Sequence, residues 1–148
     1  MASRTKRLTA EVVDEVVDIA RAKLPNGAAP AAETFIRQFY KDVPPGDVIR
    51  VEAENLYGAA VALWRFSQQR TPGHPKIRVY NPRISEDGWF SAHTVIEIVN
   101  DDMPFLVDSV TAELNRLQLT VHLVIHPVLD VGRDEDGRWL GIADEPGA

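Results

Sequence analysis

The stretch from Ser91 to Pro127 constrains the fold more than any other part of the chain. Within it, Thr94–Asn100 is strongly β-branched and predicts a strand. Side chains alternate between the two faces of a strand, so Ile96 and Ile98 share one face. The other face carries Val95, Glu97 and Val99. A helical apolar stripe follows, made of Met103, Leu106, Val107, Val110, Leu114 and Leu117.

A second strand is predicted after this helix, from Leu119 to about Val131. One of its faces carries Val121, Leu123 and Ile125, and the other carries His122, Val124 and His126. Two further strands flank the stretch. Lys76–Tyr80 alternates and predicts a leading strand, and Arg138–Ile142 looks like the start of a strand after an acidic turn.

These elements predict an α+β fold in which residues 71–148 form an incomplete ferredoxin-like β-α-β-β unit with an extra leading strand. The second helix and last strand of such a unit are missing. The chain is therefore expected to be a fragment or the front end of a longer protein. The leading strand is expected to cover one edge of Thr94–Asn100, since only a turn separates the two.

Residues 1–70 predict a separate helical segment. Thr9 is expected to cap the first helix, and Pro30 to begin a second helix that ends at about Lys41. A third helix is expected from the break near Asp47 to about Gln69. The turn cluster at residues 71–75 then marks the boundary between the two parts.

Composition excludes several classes of function. The net charge of −6 argues against a nucleic-acid surface, because such surfaces use Lys and Arg to neutralise phosphates. The chain has no cysteine, so it can form no disulfide and supply no thiolate. No apolar run is long enough to span a membrane or to act as a secretory signal. We expect a cytoplasmic protein that binds neither nucleic acid nor membrane.

Motif searches predict no catalytic, cofactor-binding or metal-binding residue in this chain. Its nine glycines form neither a dinucleotide-binding turn nor a phosphate loop, and no serine lies in a nucleophile elbow. His122 and His126 have the spacing of helical zinc ligands, but on a strand they stand about 13 Å apart. We expect a polar sheet face there, where Glu97 contacts one of these histidines.

The turn between strand and helix allows two interpretations. Asp101 and Asp102 could act as paired acids in proton transfer. The alternative is that one of them caps the following helix, with Pro104 near its first position. Capping is the expected role, because carboxylates are stabilised at the positive end of a helix.

Four runs of sequence resemble the N-terminal region of the large bacterial NAD-dependent glutamate dehydrogenases. They are LYGAAVALW at 56–64, RTPGHPKIRVYNP at 70–82, GWFSAHTVIEIVNDDMPFLVDSVTAELNR at 88–116 and LTVHLVIHPVLDV at 119–131. The resemblance covers about residues 30–142 and implies the first of several ACT-like domains that precede a catalytic region. It implies NAD as a cofactor of the parent enzyme only, and a homo-oligomer whose other subunits and remaining chain are the partners of this segment.

ACT domains commonly bind amino acids where the first strand meets the first helix. The resemblance therefore implies a ligand or regulatory turn here, formed by Asn100, Asp101, Asp102, Met103 and Phe105. Phe105 stands where ligand-binding members usually have a glycine, which favours an assembly role over amino-acid binding. The rival hypotheses are a free-standing amino-acid sensor and, on weaker grounds, a small independent enzyme.

Overall fold

Four helices near the N-terminus pack around one apolar core. The computed structural model describes residues 2–143, and it describes side chains from residue 9 onward. The four helices are α1 (Ala2–Lys23), α2 (Ala29–Tyr40), α3 (Pro45–Ile49) and α4 (Ala53–Phe66). Their fully buried side chains include Val16, Val17, Ala20, Ala32, Ile36 and Ala60. The Tyr40 hydroxyl donates to the Leu56 carbonyl at 2.6 Å, which joins α2 to α4.

Two helix boundaries differ from the predicted ones. The first helix begins at Ala2, so Thr9 lies inside it and is not its N-cap. The predicted third helix is two helices, because the chain leaves helical geometry between α3 and α4, where Glu52 is extended. β-Branched residues crowd the helical turn and lower helix propensity, and three of them, Val48, Ile49 and Val51, precede this break.

The central part of the chain is an antiparallel hairpin of β1 (Lys76–Tyr80) and β2 (Val95–Val99). The leading strand therefore does pair with one edge of the predicted strand, as expected. Between them lies a four-residue helix, α5 (Ile84–Asp87), where only a turn was predicted. It ends at Gly88, whose φ of 78° is in the left-handed region that glycine adopts freely.

The β1–β2 hairpin turns its polar face inward and its apolar face outward. Arg78 and Glu97 lie directly opposite each other on the inner face. Ile77, Val79 and Ile96 lie on the outer face and are 58%, 60% and 40% exposed. We call these three residues the outer apolar face.

Trp89 fixes the hairpin connection to the helical core. Its side chain is buried, and its ring packs edge-on against Tyr80 with centroids 6.3 Å apart. A Cβ at Gly58 of α4 would lie 2.2 Å from Trp89 Cβ, so a glycine is needed for the tryptophan to approach the helix.

The remaining elements are α6 (Leu106–Arg116), β3 (Val131–Arg133) and β4 (Trp139–Ile142). The predicted strand from Leu119 to Val131 is wrong in most of its length, because residues 119–130 pair with no strand in the described part of the chain. β3 and β4 form a short antiparallel hairpin instead. Alternation alone predicted this strand, but a strand also needs a neighbouring backbone to pair with.

The β3–β4 hairpin packs against the helical core. Trp139 meets Phe35 of α2 edge-on at a centroid distance of 6.1 Å. Backbone bonds from Trp139 to Gln68 and from Arg70 to Gly137 tie the hairpin to the end of α4.

The α+β fold class is confirmed. The strands do not form one sheet. β1 pairs with β2 in one two-stranded sheet, and β3 pairs with β4 in another. The division of the chain at residues 70 and 71 stays a prediction, and residues 144–148 of the predicted second part lie outside the described residues. Among residues 2–143, no helix combines the length and the apolar character that crossing a membrane requires.

Substituting Gly137 tests the attachment of the β3–β4 hairpin. The residue has a φ of 85°, and a Cβ there would lie 1.7 Å from the Arg70 carbonyl oxygen. Gly137→Ala should therefore lower the free energy of unfolding by about 3 kcal/mol or more, combining backbone strain with a clash. Chemical denaturation followed by tryptophan fluorescence measures the loss.

Gly73→Ala is the matched control for Gly137→Ala. Gly73 has a φ of 78° and nothing within 4 Å of its added Cβ, so only backbone strain applies. It should cost about 1 kcal/mol. Equal losses in the two variants would contradict the close approach of the hairpin to Arg70.

Candidate functional site

The turn between β2 and α6, residues 100–105, is the predicted ligand site, and its side chains are mostly exposed. Asn100 is half-buried, and its amide Nδ2 lies 3.7 Å from Met103 Sδ. Met103 is itself 50% exposed. The turn is therefore an open surface feature rather than the wall of a closed pocket.

Phe105, and neither aspartate, occupies the N-cap position of α6. It has a φ of 64° and a ψ of 11°, and no side chain caps the helix. The capping prediction for Asp101 and Asp102 is wrong, because Phe105 is the N-cap residue and no side chain forms a capping hydrogen bond. Pro104 had suggested an earlier helix start, but it precedes the N-cap.

Asp101 is paired with Arg70 instead. Its Oδ1 accepts a hydrogen bond of 2.8 Å from Arg70 Nη1. This bond, with the positive charge of Arg70, lowers the pKa of the Asp101 carboxyl below its usual value. The pairing places an exposed carboxylate on an almost fully buried guanidinium.

Arg70 joins three parts of the structure. Its Nε donates to the His74 carbonyl at 2.9 Å, and its backbone N–H donates to the Gly137 carbonyl at 3.1 Å. Its other terminal nitrogen, Nη2, is buried with no hydrogen-bond partner among the described residues. Burial, with a smaller contribution from the charge of Arg70, lowers the pKa of Arg133. Local sequence patterns do not reveal these contacts, because Asp101 and Gly137 are distant from Arg70 in sequence.

Glu97 forms an ion pair with an arginine of the facing strand. Its Oε1 accepts from Arg78 Nε at 2.6 Å, and the expected contact with His122 or His126 stays a prediction. The Arg78 guanidinium also stacks over the rings of Phe66 and Tyr80, at 4.9 and 4.2 Å. The signal that could have predicted this pair is the opposite charge of two residues at facing strand positions. It requires the register of β1 against β2.

Burial dominates the electrostatics of this inner face. Glu97 is only 6% exposed, and desolvation raises the pKa of its carboxyl although Arg78 opposes the shift. Burial, assisted by the charge of Glu97, raises the pKa of Tyr80 to about 12. The inner face is therefore built around a packed ion pair.

Two of the histidines stack on each other. His93 and His122 stack with ring centroids 3.9 Å apart and planes 18° from parallel. His126 is exposed. Within the described residues, no three His, Asp or Glu side chains converge on a point where a metal ion could bind.

Two open clefts lie away from the β2–α6 turn. One, of about 470 Å³, lies beside α1 and α2 and is lined by residues that include Val13, Arg37 and Tyr40. The other, of about 450 Å³, lies between β1 and α5 and includes Arg78, Arg83 and Asp87. Neither includes a residue of the predicted ligand turn.

Two substitutions at Phe105 test the strain at the start of α6. Phe105→Gly should give a protein about 1 kcal/mol more stable than Phe105→Ala, because only glycine adopts a positive φ without steric cost. Phe105 is 76% exposed, so both variants lose little packing. Thermal unfolding compares them, and equal stabilities would contradict the left-handed conformation.

The raised pKa of Glu97 predicts a pH dependence with a definite sign. The Glu97 carboxyl has a higher pKa in the folded protein than in the unfolded chain, where its reference pKa is 4.5. The folded protein therefore binds this proton more tightly. The contribution of Glu97 to stability should therefore increase as the pH falls through the raised pKa towards about 4.5. Wild type should gain stability relative to Glu97→Gln over that range, measured by denaturation at several pH values.

Glu113→Gln supplies the control of opposite sign. The hydrogen bond from Arg116 lowers the pKa of Glu113, so wild type should lose stability relative to this variant in acid. If the stability difference between wild type and variant changed with pH in the same direction for both variants, burial would not control the pKa of Glu97.

Comparison with known proteins agrees with the resemblance carried by the four sequence runs. The family described as "Glutamate dehydrogenase, ACT1 domain" matches residues 35–148. An NAD-specific glutamate dehydrogenase of Halomonas elongata is 41% identical over 133 residues, which are 90% of this chain and 8% of that protein. The NAD-specific glutamate dehydrogenase of Pseudomonas aeruginosa is 36% identical over 110 residues, which are 74% of this chain and 7% of that protein.

No solved structure matches the chain. The chain spans less than a tenth of the length of the two curated relatives described above. The family match covers well over half of the chain and includes β1, β2, the turn at residues 100–105 and α6. The chain therefore belongs to the family of glutamate dehydrogenase ACT1 domains.

Proposed function

We propose that this chain is a noncatalytic ACT-like module of a large NAD-dependent glutamate dehydrogenase, and that it serves the assembly of that enzyme. The parent enzyme would convert L-glutamate, NAD⁺ and water into 2-oxoglutarate, ammonium and NADH. NAD would bind elsewhere in the parent chain. The partners of the module would be the rest of that chain and the other subunits, in the cytoplasm.

The outer apolar face is the observation that carries this proposal. Ile77, Val79 and Ile96 are all at least 40% exposed, on neighbouring strands of one hairpin. Aliphatic side chains side by side on a sheet surface favour burial against another protein surface. A module that docks within a larger enzyme supplies such a surface, whereas a free-standing sensor would keep it in water.

The turn at residues 100–105 also favours assembly over ligand binding. Asp101 already has a partner in Arg70, and Phe105 replaces the glycine that would let a ligand approach the backbone. Both features direct the turn towards a structural role.

A charge on the outer apolar face should disrupt the assembly of the full-length enzyme. Val79→Glu places a carboxylate where the proposal has an apolar contact, so the native oligomer should dissociate or sediment as smaller species. Ser85→Glu adds the same charge at an exposed position on α5 and should leave the oligomer intact. Analytical ultracentrifugation of both variants is the measurement, and an intact Val79→Glu oligomer would contradict the proposal.

The isolated chain should neither produce NADH nor bind amino acids. With glutamate and NAD⁺, a preparation free of host dehydrogenase should show no absorbance increase at the NADH band. Titration calorimetry with glutamate, arginine and other amino acids should give no saturable isotherm at submillimolar concentration. A saturable isotherm that Phe105→Ala strengthens would instead support an amino-acid sensor.

A further inference from the structure

Residues 119–130 have the side-chain pattern of a strand that rests on the helical core. Val121, Ile125 and Leu129 are half-buried, and the last two pack against that core. The even-numbered residues between them are exposed. Leu123, 46% exposed, is the exception to the alternation. One face of the segment is thus already docked.

The backbone of this segment lacks the bonds of a strand. No backbone hydrogen bond joins residues 120–129 to any other described residue. Each non-proline residue carries a donor and an acceptor that need partners, and an extended run without them is an open edge for strand addition.

The ladder that would fill this edge has already begun at one end. Val131 pairs with Ile142, and the Ala143 N–H donates to the Asp130 carbonyl at 2.7 Å. In an antiparallel ladder, two directly opposite residues can exchange both of their N–H···O=C bonds. The N–H and C=O groups of successive residues along a strand point alternately to its two sides. Asp130 points towards β4, so in a regular strand the other even-numbered residues direct their N–H and C=O groups to that same side.

Pro127 agrees with this arrangement. Proline has no N–H to donate and is tolerated in a strand only where that donor is not needed. Pro127 is odd-numbered, so its backbone nitrogen faces the side opposite to β4. The N–H that proline lacks is therefore not needed for pairing on the β4 side. The even-numbered donors on the β4 side are complete from Thr120 to Val128.

We propose that this edge receives an extended strand, antiparallel to residues 120–130, from the same polypeptide of the longer enzyme. The identity of the source rests on the proposed function. The matched region is only 8% and 7% of the lengths of the two relatives, so most of such a polypeptide lies outside it. The polypeptide leaves β4 beside Asp130, and a tethered strand has a high effective concentration at a nearby edge.

Amide hydrogen exchange in the full-length enzyme and in the 148-residue chain tests the proposal. The even-numbered amides between residues 120 and 128 should exchange about a hundredfold more slowly in the full-length enzyme, because a ladder protects them. Fast exchange in both proteins would overturn the proposal. The glutamate dehydrogenase activity of the same full-length preparation is measured separately. Failure of the proposed function can then be distinguished from failure of strand addition.

Two proline variants of the full-length enzyme separate strand addition from simple burial. Val124→Pro removes a donor on the β4 side and should abolish most of the protection of its even-numbered neighbours. Leu123→Pro removes a donor on the opposite side, at a position with nearly the same exposure, 46% against 45%, and should leave that protection in place. Equal effects of the two variants would overturn the pairing geometry.

A second copy of the chain is the competing occupant. If the isolated chain gained the same protection as its concentration rose, with a dimer appearing in sedimentation, the edge would be filled between copies. That result would overturn the assignment to the same polypeptide. Protection in the full-length enzyme at every concentration, and its absence in the short chain, is the expected result.

Discussion

Arg70 holds the end of α4, the β3–β4 hairpin and the β2–α6 turn together from a position almost out of contact with water. A buried guanidinium is stabilised by the partners of its donors; Nε and Nη1 have such partners, and only Nη2 has none among the described residues. Asp101, the His74 carbonyl and the close approach of Gly137 are therefore parts of one arrangement. The turn at residues 100–105 is in this way attached to the end of α4.

The β1–β2 hairpin reverses the usual orientation of a surface hairpin. The Arg78–Glu97 pair occupies the inner face because the planar guanidinium stacks between Phe66 and Tyr80 while it binds the carboxylate. Strand alternation then directs Ile77 and Val79 outward. The apolar surface follows from the buried ion pair, and it links the internal electrostatics of this module to its proposed role in a larger enzyme.

Sequence patterns predicted α2, β1 and β2 well, because each is a short segment with clear periodicity and turn residues on both sides. Sequence patterns failed where contacts between residues distant in sequence determine the local structure. Asp101 is a good helix-capping residue by type, but a distant arginine binds it and Phe105 takes the N-cap. Residues 119–130 alternate like a strand, but no described backbone pairs with them. The Glu97–Arg78 pair needed the β1–β2 register, which pattern reading had not assigned residue by residue.

We propose that this module is built to be covered by the rest of a large dehydrogenase. A structure of the full-length enzyme tests it most directly, through the solvent exposure of Ile77, Val79 and Ile96 in the assembled protein. We expect these three side chains to be buried there against another part of the enzyme or another subunit. Side chains that remain in water, as exposed as their present 58%, 60% and 40%, would contradict it.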